Sequence, residues 1–316
     1  MATIQQITAH WNPMLASEWY NRMEQTKNRL RDHVHIKQLT GEATFIDQLG
    51  LVEMNQKTSR MATTVLDEMD TYQRVINSTE YDKAIGFDEF DASKLTPQTV
   101  PVMETVQKLQ QAAERQAEKV IVQGIIGTNT ERVVSGGVAS FNNLTLPGSQ
   151  EVAINFNYDG TTANKGLTYD KLVRAKRILM KNEGLHADTP DDQLCCAVTS
   201  GQIEDLAQDI RATNRDYVSA VEQLNNGDTD MFLGIKFLRL AETAFDTYDV
   251  GPDTAMKLPL WMKSKVCFGM RDETSISIDR RPDRSNALQI RAAMACGASR
   301  MQEEGVVLLP CKVNTI

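Results

Sequence analysis

An α+β fold is what the residue pattern predicts, and three stretches carry the prediction: a helical stripe between Pro97 and Gly127, a strand-turn-helix passage starting at LCCAVTS, and a β-rich final fifty residues. In the first, Val102, Val106, Leu109, Ala113, Ala117, Val120 and Gly124 are spaced by four, three, four, four, three and four, a helical period without a break. Pro97 and Pro101 suit the entry, because a first-turn residue needs no amide donor, and Gly124 and Gly127 suit the exit. At about 1.5 Å per residue this helix runs to roughly 40 Å, long for a compact domain, so it reads as a spine. Its opposite face carries Glu104, Lys108, Glu114, Arg115, Glu118 and Lys119 and is expected to be solvated.

In chain order, residues 12–31 place Ala16, Tyr20, Met23, Lys27 and Leu30 along one face and predict a short, weakly amphipathic helix. From Asp32 to about Asp91 no sustained stripe follows. ATFIDQLGLVEM and YQRVINS suit extended strands, and Val65 to Val75 has room for a turn or two of helix. So long an excursion between two helices is either functional or packed on a partner, and nothing in it supplies a core of its own. After the spine, VVSGGVAS and EVAINFNY are strand-like segments among turn residues, and a hairpin is expected. Thr168 caps a helix over TYDKLVRAKRILMKNEG, with Leu172, Ala175, Ile178 and Leu179 inward and a stop at Gly184. The strand LCCAVTS leads into a second helix capped by Ser200, with Ile203, Leu206, Ala207 and Ile210 at helical spacing. MFLGIKFLRL reads as a strand pair about Gly234 and VGPDTAMKLPL as a loop. KVCFGMRD, SISIDRRPDRSNALQIRAAMACGASR and GVVLLPCKV then alternate or run apolar, Ile276 and Ile278 against Ser275, Ser277 and Asp279.

Composition narrows the function classes. With 316 residues, 41% of them hydrophobic, the chain builds a substantial core in one large or two intertwined domains. Against 34 Lys and Arg stand 42 Asp and Glu, a net charge of −8 that argues against a surface built to grip nucleic acid. No run approaches eighteen apolar residues, and MATIQQITAHWNP lacks the features of a signal peptide, so a cytosolic protein without membrane spans is expected. Cys195, Cys196, Cys267, Cys296 and Cys311 have no C-x-x-C spacing and are expected as free thiols.

Catalytic and ligand patterns fall short of their templates. His33 and His35 lack the acidic or thiolate companions of a metal site. GTTANKG offers Lys165 without the Gly-Lys-Ser/Thr ending of a phosphate loop, and Ser200 in VTSGQ has no nucleophile elbow around it. Asp88 with Asp91, and Asp191 with Asp192, read as solvated loop charges. No catalytic residue, cofactor site or metal site is assigned.

The order of parts, an N-terminal helical arm, a long extended excursion, a spine, an α/β region and a β-rich return, comes with several short motifs. These are Asn21-Arg22 and Thr26-Lys27 ending near Arg29-Leu30-Arg31, a run from Arg74 through Tyr81 to Asp88 and Asp91, and Gly297-Ala298-Ser299-Arg300 followed by Val306-Val307. Together they resemble the major capsid proteins of tailed bacteriophages, the Hong Kong 97-like α+β fold, over nearly the whole chain. The sequence departs from that pattern at Lys83-Ala84-Ile85, where an aromatic is often found, and in having no long charged scaffolding segment at its start.

The resemblance implies an N-terminal arm over 1–36, an extended loop over 37–95, a peripheral domain with the spine helix over 96–165, an axial domain over 166–262, and a C-terminal return to both over 263–316. It implies a non-enzymatic shell protein, self-assembling as pentamers and hexamers into an icosahedral head around double-stranded DNA in the host bacterial cytoplasm. A separate scaffolding protein, a portal protein and, in some heads, a decoration protein would be its partners, and an acidic subunit would repel DNA mildly. A covalent cross-link from Lys57 to an asparagine is conceivable for this fold, but nothing in the sequence marks one. The alternatives are an encapsulin-like nanocompartment shell, which encloses enzymes, and a soluble α/β enzyme.

Overall fold

The computed structural model describes residues 25, 27–50, 52–56, 59–60, 69, 71–88, 102–135, 138–158, 160, 163–181, 192–213 and 231–313. The helix expected over 12–31 lies almost wholly outside these, as do Lys57, Asp91, Asp191 and the helix stop at Gly184. The described strands are β1 (His35–Gln38), β2 (Ala43–Leu49), β3 (Thr71–Asn77), β4 (Thr79–Phe87), β5 (Asn129–Ser135), β6 (Val138–Leu144), β7 (Leu194–Val198), β8 (Met231–Phe232), β9 (Ile235–Arg239), β10 (Thr247–Val250), β11 (Asp253–Met262), β12 (Val266–Arg281), β13 (Ala287–Arg300) and β14 (Val306–Lys312). The described helices are α1 (Val102–Ile126), α2 (Tyr169–Lys181) and α3 (Ser200–Thr213). None of them is long and apolar enough to cross a membrane. The chain divides into two compact units, each assembled from stretches distant in sequence.

The smaller unit contains Glu80–Ala117 and Asp272–Ala295. Here the first turns of the spine bury Leu109 against Ile290 and Ala292, with Ile85, Phe87, Val102, Val106 and Ile276 around them. The stripe read from the sequence is therefore the packed face. The alternation along β12 also holds at Ile276, whereas Ile278 is half exposed.

The larger unit contains Arg29–Thr79, Glu118–Arg271 and Cys296–Ile316. Its main sheet runs β10-β11-β7-β9-β8, with β14 on the other edge of β11. Every residue of β7 is buried, as expected of a strand with a parallel neighbour, β9, and an antiparallel one, β11. Leu172, Ala175 and Leu179 of α2 and Ile203 and Leu206 of α3 are buried, at the inward positions their spacing predicts. Thr168 caps α2, its hydroxyl accepting the Lys171 amide at 3.4 Å.

Several expectations are corrected. VGPDTAMKLPL is not a loop but the β10-β11 hairpin and most of β11. Pro259 faces Leu308 of β14 on one side and, on the other, falls in the gap between β10 pairing, which ends at Met256, and β7 pairing, which begins at Leu260. A missing amide donor costs no ladder bond there. EVAINFNY forms no strand; Glu151 makes one bridge to Leu308 before the chain turns. Ser200 is the first helical residue of α3, and the residue before it, Thr199, is the cap.

A second sheet of this unit, β2-β3-β5-β6, contains both strands predicted in the excursion and the predicted hairpin. Register places Phe45, Leu49, Val134 and Phe141 on one face of it, where Arg132 sits 5.4 Å over the Phe45 ring. Ile46, on the other face, packs against Leu39, Ile76 and Cys267.

Candidate functional site

The polar residues singled out from the sequence hold structure locally and do not converge. Asp192 accepts the Ser264 amide at 2.9 Å and its hydroxyl at 2.5 Å. The Lys165 carbonyl accepts Lys171 Nζ and the Lys312 amide. The His33 carbonyl accepts Trp261 Nε1 at 2.9 Å, His35 is exposed on β1, and Asp88 is exposed at the end of β4. The five thiols are free and buried, and desolvation pushes Cys195 and Cys311 up to about 12 and Cys267 and Cys296 up to about 11. A thiol in that range is neutral at pH 7 and a poor nucleophile.

What the larger unit does bring together is a buried joint of two arginines and a glutamate. A helix leaves its last four carbonyls unpaired and concentrates partial negative charge there. Arg300, fully buried, meets that demand: its Nη1 donates to Ile125 O at 2.5 Å and Gly127 O at 2.6 Å, and its Nη2 to Leu144 O at 3.2 Å. One guanidinium thus ties the end of α1 and the end of β6 to the end of β13. Burial lowers the Arg300 pKa from its usual value, and Glu303 opposes that shift. Glu303 also grips buried Arg74 of β3 with both oxygens, at 3.1 and 2.9 Å, and Arg74 donates to Met301 O at 3.2 Å. Such a bidentate pair fixes geometry as well as charge.

Two glycines let backbone close around this joint. A Cβ on Gly124 would stand 2.6 Å from the Ala298 Cβ, and one on Gly297 only 2.0 Å from the Asn77 carbonyl oxygen. A separate anchor lies under β14, where buried Lys171 donates to the carbonyls of Lys165, Gly166 and Pro310 at 2.8–2.9 Å.

Glu118 overturns the expectation of a solvated polar face on the spine. It is buried and accepts the Arg29 amide at 2.5 Å. The stretch from Arg29 covers that side of the helix, Arg29 reaches the Arg239 carbonyl, and Leu30, Val34 and Leu39 are buried along it. The arrangement is mechanical: buried Arg74, Arg300 and Lys171 are met by carbonyls or a carboxylate and buried Glu118 by a main-chain amide, and the end of α1, the β2-β3-β5-β6 sheet and the end of β13 are locked together.

A family model described as phage capsid protein matches residues 7–313. No curated protein matches the chain significantly. Among solved structures, the capsid of Ralstonia phage GP4 superposes with a TM-score of 0.65 at 9% identity, covering 96% of this chain and 97% of that one. The capsid of cyanophage Pam1 gives 0.63 at 14% identity with 99% of each chain covered. An encapsulin from Synechococcus elongatus gives 0.57 at 9% identity, covering 100% of this chain and 98% of that one. At these identities the structures establish the Hong Kong 97-like fold, and the family match extends over nearly the whole length. The chain therefore belongs to the phage capsid protein family.

Proposed function

We propose that many copies of this chain, as pentamers and hexamers, close into the icosahedral head of a tailed phage around double-stranded DNA. The observation that carries this is apolar surface left open on the isolated subunit. Phe45, Leu49, Val134 and Phe141 are exposed on one face of the β2-β3-β5-β6 sheet, Leu49 to 68%, and Val52 and Met54 beyond it to 70% and 100%. Burying each such side chain contributes roughly 1.5–3 kcal/mol, which a lone subunit forgoes and a neighbour recovers. The joint supports the same reading by fixing the sheet that presents this surface.

In this proposal residues 1–36 are the arm, 37–95 the extended loop, 96–165 with 263–300 the peripheral domain, and 166–262 with the last strand the axial domain. Assembly takes place in the host bacterial cytoplasm, directed by a separate scaffolding protein and completed by a portal and, in some heads, a decoration protein. The chain performs no catalysis. Mass measurement and electron microscopy of the purified protein test this: closed particles are expected, and a compact monomer or dimer at high concentration would refute it. Particles that enclose enzyme rather than genome would mark an encapsulin-like shell.

A further inference from the structure

The stretch from Arg29 to Leu39 is a strap within the larger unit, and a titratable ring stands at its middle. At one end the Arg29 amide donates to Glu118 of the spine at 2.5 Å. At the other, β1 pairs with β12 from His35–Cys267 to Gln38–Met270, and the Leu39 amide donates to Met270 O at 2.9 Å. Between these ends the His33 amide closes a tight turn onto Leu30 O at 2.9 Å, and the His33 carbonyl accepts the indole N–H of fully buried Trp261, also at 2.9 Å. The main chain at His33 cannot lift without breaking that bond.

The His33 ring is badly placed to carry a charge. Its Nδ1 is shut off from solvent and has no hydrogen-bond partner. A neutral imidazole accommodates this by keeping its proton on the other nitrogen, whereas an imidazolium bears N–H on both and leaves one buried donor unmatched. Two ammonium groups also act on the ring, Lys236 of β9 and Lys263 just after β11. Asp32 favours a cation there, while Glu118 and Asp192 are already engaged by the Arg29 amide and by Ser264. Burial foremost, and then Lys236, lowers the His33 pKa from its usual value; Lys263 adds to the shift, and Asp32 and the Gln193 side chain oppose it.

We propose that this strap is an acid-released clasp: proton uptake at His33 Nδ1 frees residues 29–39 from the spine and from β12 while the main sheet stays folded. An opened strap takes the proton near pH 6.5, as a solvated imidazole does, and the closed strap only at lower pH. The closed form therefore binds fewer protons in between. Its advantage is complete above about pH 6.5 and shrinks as pH falls through that window. The loss is local because only the strap carries the ring, and Leu30, Val34 and Leu39 are the apolar contacts it surrenders on opening.

The test is hydrogen exchange of the full chain, followed by mass spectrometry of peptides from 29–39 and from β7 between about pH 7.5 and about pH 5, where ordinary carboxylates stay ionised. After correction for intrinsic exchange, protection of 29–39 should fall as the pH drops, by up to about tenfold for each pH unit below about 6.5, while β7 stays protected. H33Q should abolish the fall, and H35Q, at an exposed position on β1, should keep it. Two further substitutions decide the matter if H33Q does not fold. K236Q removes a repelling charge and should shrink the fall; D32N removes an attracting one and should deepen it. A fall in H33Q equal to wild type, wild-type protection that ignores pH, loss of protection in β7 alongside the strap, or changes of the same sign in K236Q and D32N would each overturn the proposal.

Discussion

Replacing Glu303 by Gln keeps the side chain's size and removes the one carboxylate that faces two buried guanidinium groups. Arg74 is 3% exposed and Arg300 0%, and Glu303 bonds the first at 2.9 and 3.1 Å and lies 4.0 Å from Nε of the second. An amide offers one acceptor oxygen and turns its NH2 group toward a cation. Stripping one partner from a buried pair costs about 3–5 kcal/mol, and because Glu303 is itself 15% exposed the lower end applies, about 3 kcal/mol. With an unfolding entropy of about 2.1 cal/mol/K per residue, a chain of this size should lose about 4–5 °C in melting temperature. Thermal unfolding of the purified protein, followed by tryptophan fluorescence, measures it. Glu304→Gln, one residue on and exposed, is the control and should stay within about 0.5 kcal/mol of wild type. If E303Q melts with E304Q, the joint does not hold the fold.

Gly297→Ala drives a methyl to 2.0 Å from the Asn77 carbonyl oxygen, so backbone must move; a loss of more than about 2 kcal/mol is expected in denaturant titration, and an unchanged midpoint would refute that close approach. The five buried thiols should resist iodoacetamide at pH 7.5 and react fully once the chain is unfolded, counted by mass spectrometry; rapid alkylation of the folded protein would contradict their burial. Because the folded state holds the thiol protons of Cys195 and Cys311 to about 12 and those of Cys267 and Cys296 to about 11, with Cys196 also raised by burial, while the unfolded state releases them near 9, the folded state binds more protons above pH 9. Stability should therefore fall there by about 1.4 kcal/mol per pH unit per thiol, with Lys171, whose pKa burial lowers, working the other way. Removing residues 1–24 spares Arg29 and Leu30, so the truncated chain should melt like wild type yet fail to close into particles by electron microscopy; intact shells would refute the role proposed for the arm.

What the sequence made legible was local. The unbroken period from Val102 to Gly124 places α1 within a few residues, and the turn residues between apolar runs locate β2, β3, the β5-β6 hairpin and β7. What it hid depends on partners far along the chain. Glu118 looks like any outward charge on an amphipathic helix until Arg29, 89 positions earlier, is laid over it. Arg74 and Glu303 are 229 positions apart, and no spacing rule links a strand arginine to a glutamate in a later turn. The β10-β11 hairpin is masked by Gly251 and Pro252, which form its turn, and by Pro259, which β11 tolerates because it falls between the β10 and β7 pairings.

The hydrogen bonds that Arg300 donates to Ile125, Gly127 and Leu144 all end on main-chain oxygens, and a main-chain oxygen is the same whatever amino acid carries it. The clasp is thus blind to the identity of most of what it clasps. Positions 125 and 144 are free to drift among residues of suitable bulk while the donor at 300 is not, so tolerance to substitution should be lopsided, with one intolerant residue surrounded by permissive ones.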